Sequence, residues 1–82
     1  MIDILYFAGL RERVGVPRER IETQAETVAG LIDELVALDE AHAFAFADRA
    51  AIRAAVDQAL AEPGTSLEGA REVAFFPPMT GG

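Results

Sequence analysis

The strongest periodic signal in this sequence is a helical one. Val28, Leu31, Leu35 and Leu38 recur at steps of three and four, which places them in one stripe along a helix. Thr27 stands immediately before them and is a good N-cap. Asp33 and Glu34 lie off the stripe. Gly30 sits inside the same segment and weakens it by about 1 kcal/mol relative to alanine. An amphipathic helix has to bury its apolar stripe, and 82 residues hold one domain and not two. A sheet covered by that helix is a compact way to use so short a chain.

The flanks carry strand patterns. In residues 1–7, Ile2, Ile4 and Tyr6 fall on one face, and Asp3, Leu5 and Phe7 on the other. If the first set faces the core, Leu5 and Phe7 are large apolar groups left outside. Residues 8–14 predict a short helical turn that ends at Gly15 and Pro17. Residues 18–24 alternate through Arg20-Ile21-Glu22 and predict a second strand, which after that turn can pair antiparallel with the first. Residues 72–76 predict a last strand, with Val73 and Phe75 on one face and Ala74 and Phe76 on the other. Pro77 and Pro78 stop it, because neither can donate to a ladder.

Residues 41–62 support two readings. The segment is alanine-rich and free of glycine and proline, so propensity alone gives one long helix. Yet residues 52–56 are short enough for a strand, and Asp57-Gln58 can turn the chain before Pro63-Gly64 ends the segment.

The inventory of reactive groups is thin. There is no cysteine, hence no disulfide, thiolate ligand or cysteine nucleophile; that fits a reducing cytoplasm. His42 is the only histidine, and a structural role is expected for it rather than metal ligation. Ser66 lacks the elbow motif of a hydrolase nucleophile. The glycines match no phosphate-loop spacing, and no carboxylate pair has the spacing of an acid/base couple. Fourteen acids against seven bases leave a net charge of −7, which disfavours nucleic acid as a partner and favours a basic protein surface. All seven bases are arginine. No signal peptide and no apolar run of membrane-spanning length are visible, so no membrane partner is expected.

One reactive group remains, the α-carboxylate of Gly82. Its setting is Phe75-Phe76-Pro77-Pro78-Met79-Thr80-Gly81-Gly82. The two prolines are extended and stiff, and the four residues after them are supple. Fully extended, residues 77–82 reach about 20 Å from the sheet. Such an end can thread into another protein's cleft, where two glycines pass without a β-carbon to clash.

The terminal stretch EVAFFPPMTGG, residues 72–82, resembles the signature of the molybdopterin synthase small-subunit family, which are ubiquitin-like sulfur carriers. The opening IDILYFAGLRERVG, residues 2–15, resembles it too, as does AAVDQ at residues 54–58, where the family more often has asparagine than aspartate. Thr27-Val28 opens the helix in the family's place, and the likeness is weakest over residues 41–53.

The resemblance implies an α+β fold, a ubiquitin-like β-grasp with a mixed sheet packed on one main helix. It replaces the long-helix reading of residues 41–62 with a short helix followed by strands. It implies a β-grasp domain over residues 1–76 and an extended, flexible C-terminal tail over residues 77–82. It further implies that the Gly82 carboxylate is adenylated by a separate ATP-using activating enzyme and converted to a thiocarboxylate. The tail of Pro77, Pro78, Met79, Thr80 and Gly81 then carries that sulfur into the large synthase subunit, for transfer to a cyclic pyranopterin phosphate. In the family the outward face of the sheet docks on that subunit; Phe7, Leu60 and Phe76 fall at its matching positions, and strand parity puts Leu5 on the same partner-binding face. Catalytic residues are expected on the partners, and this chain is expected to bind no cofactor and no metal of its own. The alternatives are a thiamine-pathway sulfur carrier, a ubiquitin-like protein modifier, and a non-reactive interaction domain.

Overall fold

In the computed structural model, which describes residues 1–78, the chain runs through five strands and three short helices. The order is β1 (Ile2–Tyr6), α1 (Gly9–Val14), β2 (Arg18–Ile21), α2 (Val28–Val36), α3 (Glu40–Ala45), a 3-10 turn at Arg49–Ala51, β3 (Arg53–Val56), β4 (Ala59–Ala61) and β5 (Glu72–Phe76). The sheet order is β2-β1-β5-β3-β4. β1 and β5 lie side by side and parallel at its centre, and every other neighbouring pair is antiparallel. A parallel pair needs a crossover, and here nearly the whole chain between the first and last strands supplies it. The result is the β-grasp that the terminal motifs imply.

Alternation decides which face of the sheet is covered. Ile2, Ile4 and Tyr6 are buried, as are Val73 and Phe75. The register aligns Ile4 with Val73, and Phe75 with both Tyr6 and Ala54, so these groups share one face. Onto that face α2 lays Val28, Leu31, Ile32 and Leu35, each at most 7% exposed. Thr27 caps α2 as its sequence position predicts: its Oγ1 accepts the N–H of Gly30 at 3.1 Å. The helix is shorter than the periodicity predicts. It ends at Val36, and Leu38 is 54% exposed. The turn into Asp39, which caps α3, takes Leu38 off the helical path, and Ile32 supplies the fourth buried position instead.

Phe46 closes the core at the end of α3. It is 1% exposed and meets Phe75 edge-on at 5.0 Å and Tyr6 at 6.3 Å between ring centres. No single long helix forms over residues 41–62; α3, the 3-10 turn and the β3–β4 hairpin take its place. The hairpin turns on Asp57 and Gln58, both in the left-handed region with φ 48° and 73°. Asp57 is tied down from outside the hairpin, because its Oδ1 accepts the N–H groups of Arg71 and Glu72 at 3.0 Å each. That double bond to the start of β5 offsets the cost of a left-handed residue other than glycine. No helix among the described residues is long and apolar enough to cross a membrane.

Candidate functional site

The uncovered face of the sheet is built from the residues that alternate with the core. Cross-strand pairing sets Leu5 beside Ala74, Ala74 beside Ala55, and Ala55 beside Leu60. These four side chains make an apolar row across β1, β5, β3 and β4, roughly 14 Å long at the spacing of neighbouring strands. Phe7 and Phe76 lie one step further along, at the end of the sheet where the chain leaves β5. Phe7 is held there by its N–H, which donates to the Phe75 carbonyl at 3.1 Å. Leu60 is 83% exposed and Phe7 47%. Leu5, Ala55, Ala74 and Phe76 are half-buried by their neighbours.

The opposite end of the same face is charged. Asp3 accepts from Arg20 Nε at 2.8 Å and lies 3.6 Å from Arg18. Arg20 holds the Asp3 carboxyl below its ordinary range, first through that hydrogen bond and then through its charge, with Arg18 adding to it. The outer face is thus divided into a charged half and a mainly apolar half; the apolar half adjoins the root of the tail, where Arg53 pairs beside Phe76. A contiguous exposed apolar patch on a small domain marks a contact surface. Local pattern reading reaches Leu5, Phe7, Ala74 and Phe76 through strand parity. It misses Ala55, which the alternation of residues 52–56 carries once they are read as a strand.

Pro77 and Pro78 follow β5 directly. They line a cleft of about 280 Å³ at the tail root, with Leu10, Arg13, Ala45, Asp48 and Ile52 among its other walls. Met79, Thr80, Gly81 and Gly82 lie outside the described residues. A second, larger groove of about 710 Å³ runs between α2 and the β3–β4 hairpin, and Arg49, Arg53 and Glu62 stand at its walls. Arg49 is already engaged by Asp33 at 2.6 Å.

His42 plays no part in the outer face. It is buried on the helical side of the sheet and bonds to Glu19 and Asp39. The described residues contain no cluster of histidine and carboxylate groups arranged to hold a metal ion. Nothing on the described surface assembles a nucleophile, a base and an oxyanion pocket. What the geometry offers is an open sheet face whose apolar half runs up to the end of β5, where Pro77 and Pro78 follow.

Comparisons with known proteins match the chain along nearly its whole length. A model of the ThiS family matches residues 4–82. The chain is 39% identical over 82 residues to the molybdopterin synthase sulfur carrier subunit of Escherichia coli (strain K12), covering all of both chains. It is 30% identical, again over the full length of both, to the protein of the same name from Haemophilus influenzae. Among solved structures it resembles SAMP1 from Haloferax volcanii, with a TM-score of 0.74 and 27% identity, over 99% of this chain and 98% of that one.

Proposed function

The chain belongs to the ThiS family, and from that premise we propose that it is the sulfur-carrying small subunit of a molybdopterin synthase. The observation that carries this reading is the end-to-end match, at 39% identity, to a molybdopterin synthase sulfur carrier subunit. The outer face supports it, because an apolar surface continuous with the tail root is what a subunit needs in order to dock and thread its end at once.

In this reading Gly82 is the reacting residue. A separate activating enzyme joins its carboxylate oxygen to the α-phosphorus of ATP, and pyrophosphate leaves. The acyl-adenylate is a good electrophile where the free carboxylate is not. Sulfur at the sulfide level attacks the carbonyl carbon, AMP leaves, and a thiocarboxylate remains; where the donor is a persulfide, the acyl disulfide formed first is cleaved by a thiol, and the donor leaves as a disulfide with it. Pro77 and Pro78 project the tail, and Gly81 and Gly82 present no side chain to the walls of the large subunit's pocket. There the thiocarboxylate sulfur bonds to a side-chain carbon of the pterin precursor and displaces an oxygen from it, and water then cleaves the resulting thioester, leaving the sulfur on the pterin and Gly82 as the carboxylate. This chain supplies the sulfur and the docking energy, and its partners supply acid and base. Phe7, Leu60 and Phe76 anchor the large subunit, with Leu5, Ala55 and Ala74 between them.

Intact mass spectrometry of the untagged chain, expressed beside its own activating and sulfur-donating proteins, tests the first half. The expected result is an oxygen-to-sulfur exchange confined to Gly82. Adding the large subunit and the pterin precursor then consumes the sulfur and yields molybdopterin. A thiocarboxylate that never transfers to the precursor would remove this assignment and leave a thiamine-pathway carrier, the reading that the family's breadth favours next. Extending the chain by one residue beyond Gly82 is expected to abolish transfer with no change in melting temperature, and retained activity would contradict the threading step.

A further inference from the structure

On the helical side of the sheet, three elements converge on one imidazole. His42 of α3 is 6% exposed. Its Nδ1 lies 2.7 Å from Asp39 Oδ1, and its Nε2 lies 2.7 Å from Glu19 Oε2 on β2. The same Glu19 oxygen accepts from the Tyr6 hydroxyl of β1, also at 2.7 Å. Asp39 in addition caps α3, accepting the backbone N–H of His42 at 2.9 Å.

This arrangement selects one protonation state. A neutral imidazole has a single N–H, so one of its ring nitrogens would turn a lone pair toward a carboxylate oxygen at contact distance. The imidazolium donates to both carboxylates. Burial alone works against the charged ring, but the hydrogen bonds and charges of Glu19 and Asp39 outweigh it and hold His42 above its ordinary value. Tyr6 remains a donor, since burial, and then its bond to Glu19, push its ionisation far upward. No other described base competes for either carboxylate. Arg18 and Arg20 of β2 go to Asp3, and Arg13 of α1 lies over the Phe44 ring at 5.0 Å. On α2, Asp33 goes to Arg49, and Glu34 accepts from Thr23 and from the N–H of Gln24.

We propose that His42 is a proton-operated latch, which as the imidazolium ties α3 to the β1–β2 side of the sheet and on losing its proton frees the first turn of α3. Phe46 stays seated between Tyr6 and Phe75, so α3 frays from its N-terminal end toward the core. Ala45, on that same helix, forms part of the cleft at the root of the tail together with Pro77 and Pro78. The latch and one wall of that cleft thus lie on the same short helix. It is a property of the free chain, independent of what the tail carries.

Nuclear magnetic resonance on the full-length untagged chain tests it with two readouts. The ring nitrogen shifts of His42 are followed between about pH 5 and about pH 10, a range that brackets the imidazole titration. In parallel, amide hydrogen exchange is measured and corrected for its intrinsic base catalysis. The amides of Ala43 and Phe46, which donate to Asp39 and His42, report on α3; those of Ile4 and Val73 report on the sheet. The expected result is a doubly protonated ring at neutral pH. As the ring deprotonates, α3 opening should rise at least about tenfold, the scale expected for losing one charge-assisted hydrogen bond, with the sheet amides unmoved. Glu19→Gln should lower the ring's midpoint and carry the α3 transition down with it. A ring that stays in one neutral tautomer throughout overturns the latch. So do α3 amides that exchange only with the whole fold at every pH, or an α3 transition that ignores Glu19→Gln. If that variant does not fold, the paired titrations of the natural chain decide alone.

Discussion

Replacing Leu60 by aspartate probes the outer face where the free chain relies on it least. Leu60 is 83% exposed on an edge strand, so the isolated domain gains almost nothing from its side chain. Aspartate is a poor strand residue, and that alone costs at most about 1 kcal/mol of folding stability. In the docked state the balance differs. Nearly the whole leucine side chain is available to be covered, and burying it is worth about 1.5–3 kcal/mol. A carboxylate in its place has to be stripped of water, which adds to the loss. The expected cost to docking is about 2–3 kcal/mol, or roughly 30- to 150-fold in Kd. Isothermal titration of the variant against the large subunit measures it, with a thermal melt of the free chain alongside. Leu38→Asp is the control: Leu38 is also exposed, but it lies in the turn between α2 and α3 on the helical side of the sheet, and the affinity of that variant should stay near that of the natural chain. An unchanged Kd for Leu60→Asp would falsify the assignment of the docking face. A large fall in melting temperature would show instead that Leu60 serves the fold.

Phe46→Ala removes the ring that joins Tyr6 to Phe75 and is expected to cost about 3–5 kcal/mol, read from urea unfolding; a loss under about 1 kcal/mol would mean that the core closes over the gap. Gln58→Gly relieves a left-handed residue at φ 73° and should stabilise the chain by about 1 kcal/mol, seen as a higher melting temperature; no gain would place the strain elsewhere in the hairpin. Stability is also expected to depend on pH in a definite sense. His42 has its folded value raised, so its contribution is complete below its unfolded value and is lost as pH rises through the folded one. Asp39 and Asp3 are lowered, so theirs are present above the unfolded values and lost as pH falls through the folded ones. Melting temperature should therefore be highest between the two windows, and a monotonic rise into alkaline pH would refute the role of His42.

The sequence by itself determines the parts of this protein that depend on near neighbours along the chain. The Thr27 cap and the stripe of Val28, Leu31 and Leu35 make α2 whatever it packs on, because helical faces repeat over three or four residues. The parities of β1 and β5 follow from a period of two, and Pro77 ends β5 because it has no N–H to give. The terminal motif went further than any periodicity, since it implied the β-grasp and replaced a long helix that alanine content alone supports.

Tertiary structure decided the contacts between distant segments. Placing β5 parallel to β1 brings Ala74 beside Leu5, and placing β3 next to β5 extends that row to Leu60, some 55 residues away in the chain. No local pattern carries that adjacency. Leu38 shows the same limit from the other side: its helical spacing is right, yet the turn into Asp39 takes it to the surface. His42 is the clearest case. As a lone histidine in an alanine-rich stretch it is chemically mute, and it acquires two carboxylate partners only when α3 folds down against β2, because electrostatic contacts act through space and not along the chain.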